Sequence, residues 1–171
     1  MTELVPHNPK WKDMFASEQL RLASVLNDFG DVRIHHVGST SLPDIVGKDI
    51  INILIDIEED TDLEKFKAAI IGLGYNFWDR SHISIHLPPR IGFKKPSDKG
   101  ISAINIRVAY KQSEKHPELA FRDFLFNNES VRKEYEQVKI RVAETAQDAY
   151  QYKRAKGDFV REILERAKKS L

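Results

Sequence analysis

Apolar and polar positions change rhythm several times along the chain, and each change predicts an element. From Pro9 to about Asp28, Trp11, Phe15, Leu22, Val25 and Leu26 fall mostly on one face of a 3.6-residue period, which predicts a helix. Asn8 before Pro9 suits an N-cap with proline at the first helical position. "VRIHHV" predicts a strand, and "DIINILIDI" is an almost continuous β-branched run, the pattern of a central strand buried on both faces. "TDLEKFKAAIIGLG" predicts an amphipathic helix that opens on a Thr or Asp cap and ends at glycine. "YNFWD" and "HISIHL" predict two strands, "PPRIGFKKPSDKG" an exposed loop, and the alternating "ISAINIRVAY" a further strand. From His116 onward the pattern is helical, in segments of about 117–127, 129–147 and 149–169. Mixed strands and helices followed by a helical tail argue for an α+β or α/β fold. With no internal repeat, low-complexity stretch or clear linker, residues 1–171 are expected to form a single domain.

Composition narrows the class. A chain of 171 residues suits one domain with a real core. Hydrophobic residues at 41% and charged residues at 31% describe a globular chain rather than a disordered one. Lys plus Arg is 27 and Asp plus Glu is 26, so the net charge of +1 gives no electrostatic reason to expect nucleic acid or a membrane surface as partner. The absence of cysteine excludes disulfides, thiolate metal sites and a cysteine nucleophile. "MTELVPHNPKWKD" lacks the apolar run of a signal peptide, and no stretch approaches the ~20 apolar residues of a membrane span. A cytoplasmic location is the expectation.

The candidate chemistry lies in "HHVGSTSLPDIVGKDIINILID", His35 to Asp56. Gly38 lets backbone approach a phosphate closely, Ser39 adds a hydroxyl, and Thr40 and Ser41 continue the polar turn. Strand alternation places Asn52, Leu54 and Asp56 on one face and Ile51, Ile53 and Ile55 on the other. In nucleotidyl transfer, paired carboxylates on such a strand hold Mg²⁺, which bridges the phosphates. A lone Gly-Ser is more often only a turn. Lys48 is either a point-charge phosphate contact or a solvated lysine. Arg122 either binds phosphate or pairs with an acid such as Asp123, and Arg107, Lys153 and Lys156 are further basic candidates. His36 either points into the pocket or supports the loop. His82 and His86 would lie roughly 13 Å apart on a strand, too far for one metal. Tyr152 and Phe159 read as core residues rather than nucleobase stackers.

"HVGSTSLP", followed by a lysine and an apolar strand, resembles the GrpB family. "VPHNPKWKDMF" matches the family's opening, "ELAFRDFL" (Glu118 to Leu125) a characteristic helical motif, and "YKRAKGDFV" (Tyr152 to Val160) the closing one. The resemblance covers nearly the whole chain. It implies the nucleotidyltransferase-like fold, a mixed sheet with the Gly-Ser turn near its active edge and helices packed around it. It also implies an NTP held at Gly38, Ser39, Thr40, Ser41 and Lys48, with Mg²⁺ or Mn²⁺ and transfer of NMP to an acceptor. The family is also known as a domain attached to some dephospho-CoA kinases.

The sequence departs from the family pattern at the presumed centre. The family reads Lys-Pro before its strand, and here the pair is Lys48-Asp49. Asn52 stands where an aspartate is expected, Leu54 where the superfamily has a second acid, and Ala103 and Asn105 where the family carries His-x-His. Asp49 and Asp56 are the acids left for catalysis or metal. Asp56 lies roughly 13 Å from Asn52 along an extended strand, and Asp49 turns inward only if it precedes the regular strand. The expected partner is therefore a nucleotide or other phosphate-bearing small molecule. Binding without turnover is favoured over a two-metal transfer, and a scaffold that keeps only the fold is a further reading.

Overall fold

The computed structural model describes residues 3–80, 88–96, 101–111 and 116–168. The predicted "HISIHL" strand, with His82 and His86, lies outside them. The chain divides into two compact units: Pro9–Val37 with Ile50–Ser113, and Met1–Asn8 with Gly38–Asp49 and Glu114–Leu171.

Among the described residues, the first of these units is a five-stranded mixed sheet with two helices. Its strands are β1 (Arg33–Val37), β2 (Ile50–Ile57), β3 (Asn76–Asp79), β4 (Ile91–Pro96) and β5 (Ala103–Tyr110), in the order β1-β2-β5-β4-β3. Only β2 and β5 run parallel; the other neighbours are antiparallel. This is the mixed α+β sheet with flanking helices that the resemblance implies. The apolar run of β2 is an interior strand, as its pattern predicts.

Two helices pack on one face of this sheet. Helix α1 (Lys10–Leu26) buries Trp11, Leu22 and Leu26. Pro9 stands at its cap with angles already helical, one residue later than the predicted Asn8 cap. Phe15 of α1 stacks on His36 of β1 at 4.6 Å between ring centres. Helix α2 (Leu63–Gly72) opens where the Asp62 side chain accepts the Lys65 backbone N–H at 3.2 Å, satisfying a donor the first turn leaves open. Phe66 and Ile70 of α2 are buried, and Lys67 lies over the Phe77 ring of β3. Under these helices lie Ile51, Ile53, Ile55 and Ile57 of β2, with Phe93, Ile104, Ile106 and Val108, all buried. At about 25 cal/mol per Å² this apolar layer is the main stabilising term of the unit.

β4 corrects the sequence expectation of an exposed loop at "PPRIGFKKPSDKG". Its proline and lysine density reads as loop, yet Ile91, Gly92 and Phe93 are buried and β4 pairs on both sides. Pro96 closes the strand, where a missing N–H costs least.

Among the described residues, the other unit is built on three helices: α3 (Pro117–Asn127), α4 (Glu129–Thr145) and α5 (Ala149–Lys168). Their core holds Phe121, Leu125, Tyr135, Phe159 and Ile163, and Leu42 and Ile45 pack into it. Arg132, buried on α4, donates to the carbonyls of Leu125 and Phe126 at 2.9 Å and so satisfies the end of α3. No helix among the described residues is long and apolar enough to cross a membrane.

Candidate functional site

The residues singled out in the sequence fall into both units, and each group is described within its own. In the sheet unit, the face opposite α1 and α2 carries the polar side chains. Register sets Asn52 of β2 beside Asn105 of β5, Leu54 beside Arg107, and Asp56 beside Ala109. Asn52 and Asn105 therefore stand on neighbouring strands about 4.8 Å apart. The departures at residues 52 and 105 are thus neighbours in space. Asn52 Nδ2 is turned toward the Ile50 carbonyl at 3.4 Å, and Leu54, at the second acidic position, is fully buried.

Asp56 sits at the far end of the strand from Asn52. It is buried, and its Oδ2 bonds to His35 Nε2 at 3.1 Å. Asp49 precedes the first residue of β2, so strand alternation does not fix its direction. Six residues of extended chain at about 3.3 Å each lie between Asp49 and Asp56, too many for one ion to join the two. His36 is placed on the α1 face, stacked on Phe15, so the histidine on the Asn52 face is His35. Among the described residues no three His, Cys, Asp or Glu side chains converge as a metal-ligand set. Mg²⁺ in such sites is usually held by one or two carboxylates, and at these positions the strands offer two neutral amides and a leucine. These residues do not fit Mg²⁺ or Mn²⁺.

In the helical unit, the turn after β1 begins at Gly38, whose φ of +78° lies in the region that only glycine adopts readily. Residues Ser39–Ser41 form a single 3-10 turn. Ser41 Oγ donates to the Gly38 carbonyl at 2.6 Å, so its hydroxyl holds the turn. Thr40 is buried. The Ser39 hydroxyl has no hydrogen-bond partner among the described residues, and of the three hydroxyls it is the one open to a ligand.

The segment that follows is clamped to the helices. Val46 N–H donates to Glu136 Oε1 at 2.6 Å, and the Val46 carbonyl accepts from Lys139 Nζ, one turn further along α4. Val5 and Gly47 exchange backbone hydrogen bonds on either side. The clamp delivers Lys48 to the Tyr152 ring of α5, with Nζ 4.7 Å from the ring centre. Lys156, one turn along α5, lies 5.8 Å from the same ring. Tyr152 is buried, as the sequence predicts, and both ammonium groups approach its ring. Arg122 takes the pairing alternative: its Nε donates to Asp123 Oδ1 at 2.7 Å.

Lys48, Lys139 and Lys156 form a cluster of like charge. Burial pushes the Lys48 pKa down, and the charge of Lys156 adds to the effect. Lys139 is pushed down to about 7, by burial first and then by the charge of Lys156, with Glu136 opposing. Among the described residues no carboxylate bonds to Lys48 or Lys156. An anion placed here regains the Coulomb energy that the fold gives up in holding these lysines together. The sequence singles out Lys48 and Lys156 but passes over Lys139, which reads as one more charge on a polar helix.

The Lys139 shift has a consequence for stability. Between about pH 7 and its ordinary range near 10.5, Lys139 is neutral when folded and protonated when unfolded. The unfolded state then binds the extra proton, so stability rises with pH across that window, and the cost of charging Lys139 in the fold is fully present below about 7. The difference in unfolding free energy between wild type and Lys139→Met should climb by about 1.4 kcal/mol per pH unit in this window. A difference flat from pH 7 to 10 in denaturant titrations would show that Lys139 stays charged in the fold.

Comparison with known proteins accords with this architecture. The model of the family described as "GrpB protein" matches residues 1–166. A UPF0157 protein of Halalkalibacterium halodurans is 34% identical over 96% of this chain and 86% of its own length. The glutamate-rich protein GrpB of Alkalihalophilus pseudofirmus is 32% identical over 94% of this chain and 92% of its own. The crystal structure of conserved protein GrpB from Enterococcus faecalis superposes with a TM-score of 0.81 at 23% identity, covering 98% of both chains.

Proposed function

The chain belongs to the GrpB family, and from that premise we propose that it uses a nucleotidyltransferase-like fold to bind the phosphates of a nucleotide or similar small molecule, without a divalent metal. Ser39 Oγ, Lys48 and Lys156 are the contacting groups. The observation that carries this reading is the Lys48–Lys156 pair over Tyr152, held by the Val46 clamp with no carboxylate bonded to either lysine among the described residues. Phosphate oxygens supply the missing negative charge, and each ammonium–phosphate hydrogen bond contributes about 1.5–3 kcal/mol. Asn52 and Asn105 stand where a metal would need charge, which favours binding over turnover. Lys153 is a further basic candidate only by its place in the sequence.

Transfer of NMP from an NTP to an acceptor is the second reading. It is favoured by Asp49, which precedes the regular strand and so is free of its alternation.

Restoring the acid discriminates between them. Asn52→Asp is expected to give nucleotide binding a Mg²⁺ dependence of tenfold or so that wild type lacks, measured by calorimetry with Mg²⁺ and with EDTA. Equal affinity of the variant in both buffers would remove residue 52 from any metal position.

A further inference from the structure

The polar face of the sheet holds a second basic feature that the phosphate reading does not use. β4 carries Gly92, whose register neighbours are Arg107 on β5 and Trp78 on β3. A Cβ at residue 92 would stand 2.7 Å from the Ile106 carbonyl oxygen and 2.9 Å from Arg80 Cδ. Only glycine fits there, and the space is taken by an arginine. Arg80 follows β3, with its N–H donating to the Arg90 carbonyl at 2.8 Å. Its side chain lies in the notch at Gly92, and its guanidinium carbon is 4.5 Å from the centre of the Trp78 ring.

The notch thus brings a second guanidinium beside the first. Arg107 is pushed down to about 10 by burial first, then by the charge of Arg80, with Asp56 opposing. Asp56 in turn is bonded to His35. Lys94 adds a third cation to the same face, with Nζ 3.7 Å from the Trp78 ring centre. Packing two guanidiniums together costs Coulomb energy. A sheet stabilised by packing alone would place an apolar side chain in the notch. The planar, many-donor guanidinium matches the oxygens of carboxylate and phosphate, and stacking on an indole fixes its plane.

We propose that Arg80 and Arg107, brought together by the Gly92 notch and braced by Trp78, form an oxyanion-recognition site for a carboxylate or phosphate group of a small molecule. The site lies wholly in the sheet unit and does not depend on the Ser39, Lys48 and Lys156 reading.

The test is nuclear magnetic resonance on the full chain, following the indole N–H of Trp78 during titration with inorganic phosphate and, separately, with succinate at constant ionic strength. A saturable shift of Trp78 is expected with at least one of them. Phosphate alone would identify a phosphoryl ligand and succinate alone a carboxylate. Arg80→Met, which keeps the apolar stem in the notch, should weaken the apparent affinity at least tenfold. Arg80→Lys should recover part of it and decides the matter if the methionine variant fails to fold. Lys48→Ala should leave the Trp78 titration unchanged, which separates this site from the lysine pair. The proposal is overturned if neither anion gives a saturable Trp78 shift in wild type. It is equally overturned if wild type and both Arg80 variants titrate alike.

Discussion

Replacing Lys48 and Lys156 together with alanine is expected to weaken binding of a nucleoside triphosphate by roughly 100-fold or more while leaving the fold at least as stable. Two charge-assisted contacts at about 1.5–3 kcal/mol each correspond to at least a factor of ten apiece. Stability should hold because burial depresses Lys48 and Lys139 and the charge of Lys156 adds to it, and the double substitution removes the buried Lys48 charge and the Lys156 repulsion together. Few substitutions at a structural ion pair would remove binding and spare stability, so the combination identifies a ligand site. Ser39→Ala should cost less, since a neutral hydroxyl contributes only about 1 kcal/mol. Calorimetric titration of the single and double variants checks the account. Wild-type affinity in the double variant would move the phosphate contact elsewhere.

The largest effect on stability is expected at Glu18, in the middle of α1. This carboxylate is 2% exposed. Glu18 Oε1 accepts from Tyr75 Oη at 2.7 Å and from Lys95 Nζ at 3.0 Å, and Oε2 accepts from Arg21 Nη1 at 2.9 Å. Burial alone would raise its pKa, but Tyr75, Lys95 and Arg21 together hold it below its ordinary value. Tyr75 is driven far up, first by burial and then by its hydrogen bond to Glu18. Glu18→Ala strands a buried phenol and a half-buried lysine and opens a void. Breaking a buried ionic network of this kind costs about 3–5 kcal/mol. Tyr75→Phe should cost less, about 1–2 kcal/mol, because both cations remain. The Glu18 contribution is fully present above its unfolded range near 4.5 and is lost as pH falls through the lower folded value. Denaturant unfolding of wild type and Glu18→Gln should therefore differ by a constant amount above about pH 5 and converge as pH falls below 4.5 through the lower folded value. Glu18→Ala as stable as wild type would mean that the network contributes nothing net.

What the sequence makes legible is what repeats with a period. β2 and β5 announce themselves by β-branched runs, and the helices by apolar stripes. The loop from Gly38 to Ser41 is visible because glycine and hydroxyls have local uses. The features that stay hidden depend on partners far along the chain. Glu18 looks like an interruption of an apolar stripe, since Tyr75 and Lys95 lie 57 and 77 residues away. β4 looks like a loop because its defining residue, Gly92, is set by what crosses it rather than by propensity. The choice between His35 and His36 turns on which face α1 covers, which alternation alone does not reveal. The strand order sets Asn52 beside Asn105, so separate departures from a family pattern become one altered site. Lys139 is ordinary in sequence and unusual only because α4 turns it onto the Val46 carbonyl.

The central claim is phosphate binding without metal, and thermal unfolding with ATP, GTP, CTP and UTP, each with Mg²⁺, with Mn²⁺ and with EDTA, tests it most directly. A ligand that binds only the folded state stabilises it by about 2.7 kcal/mol at 100 times its Kd. The account predicts that at least one nucleotide raises the unfolding temperature equally in metal and in EDTA. A shift that appears only with Mg²⁺ or Mn²⁺, or no shift with any nucleotide, would contradict it.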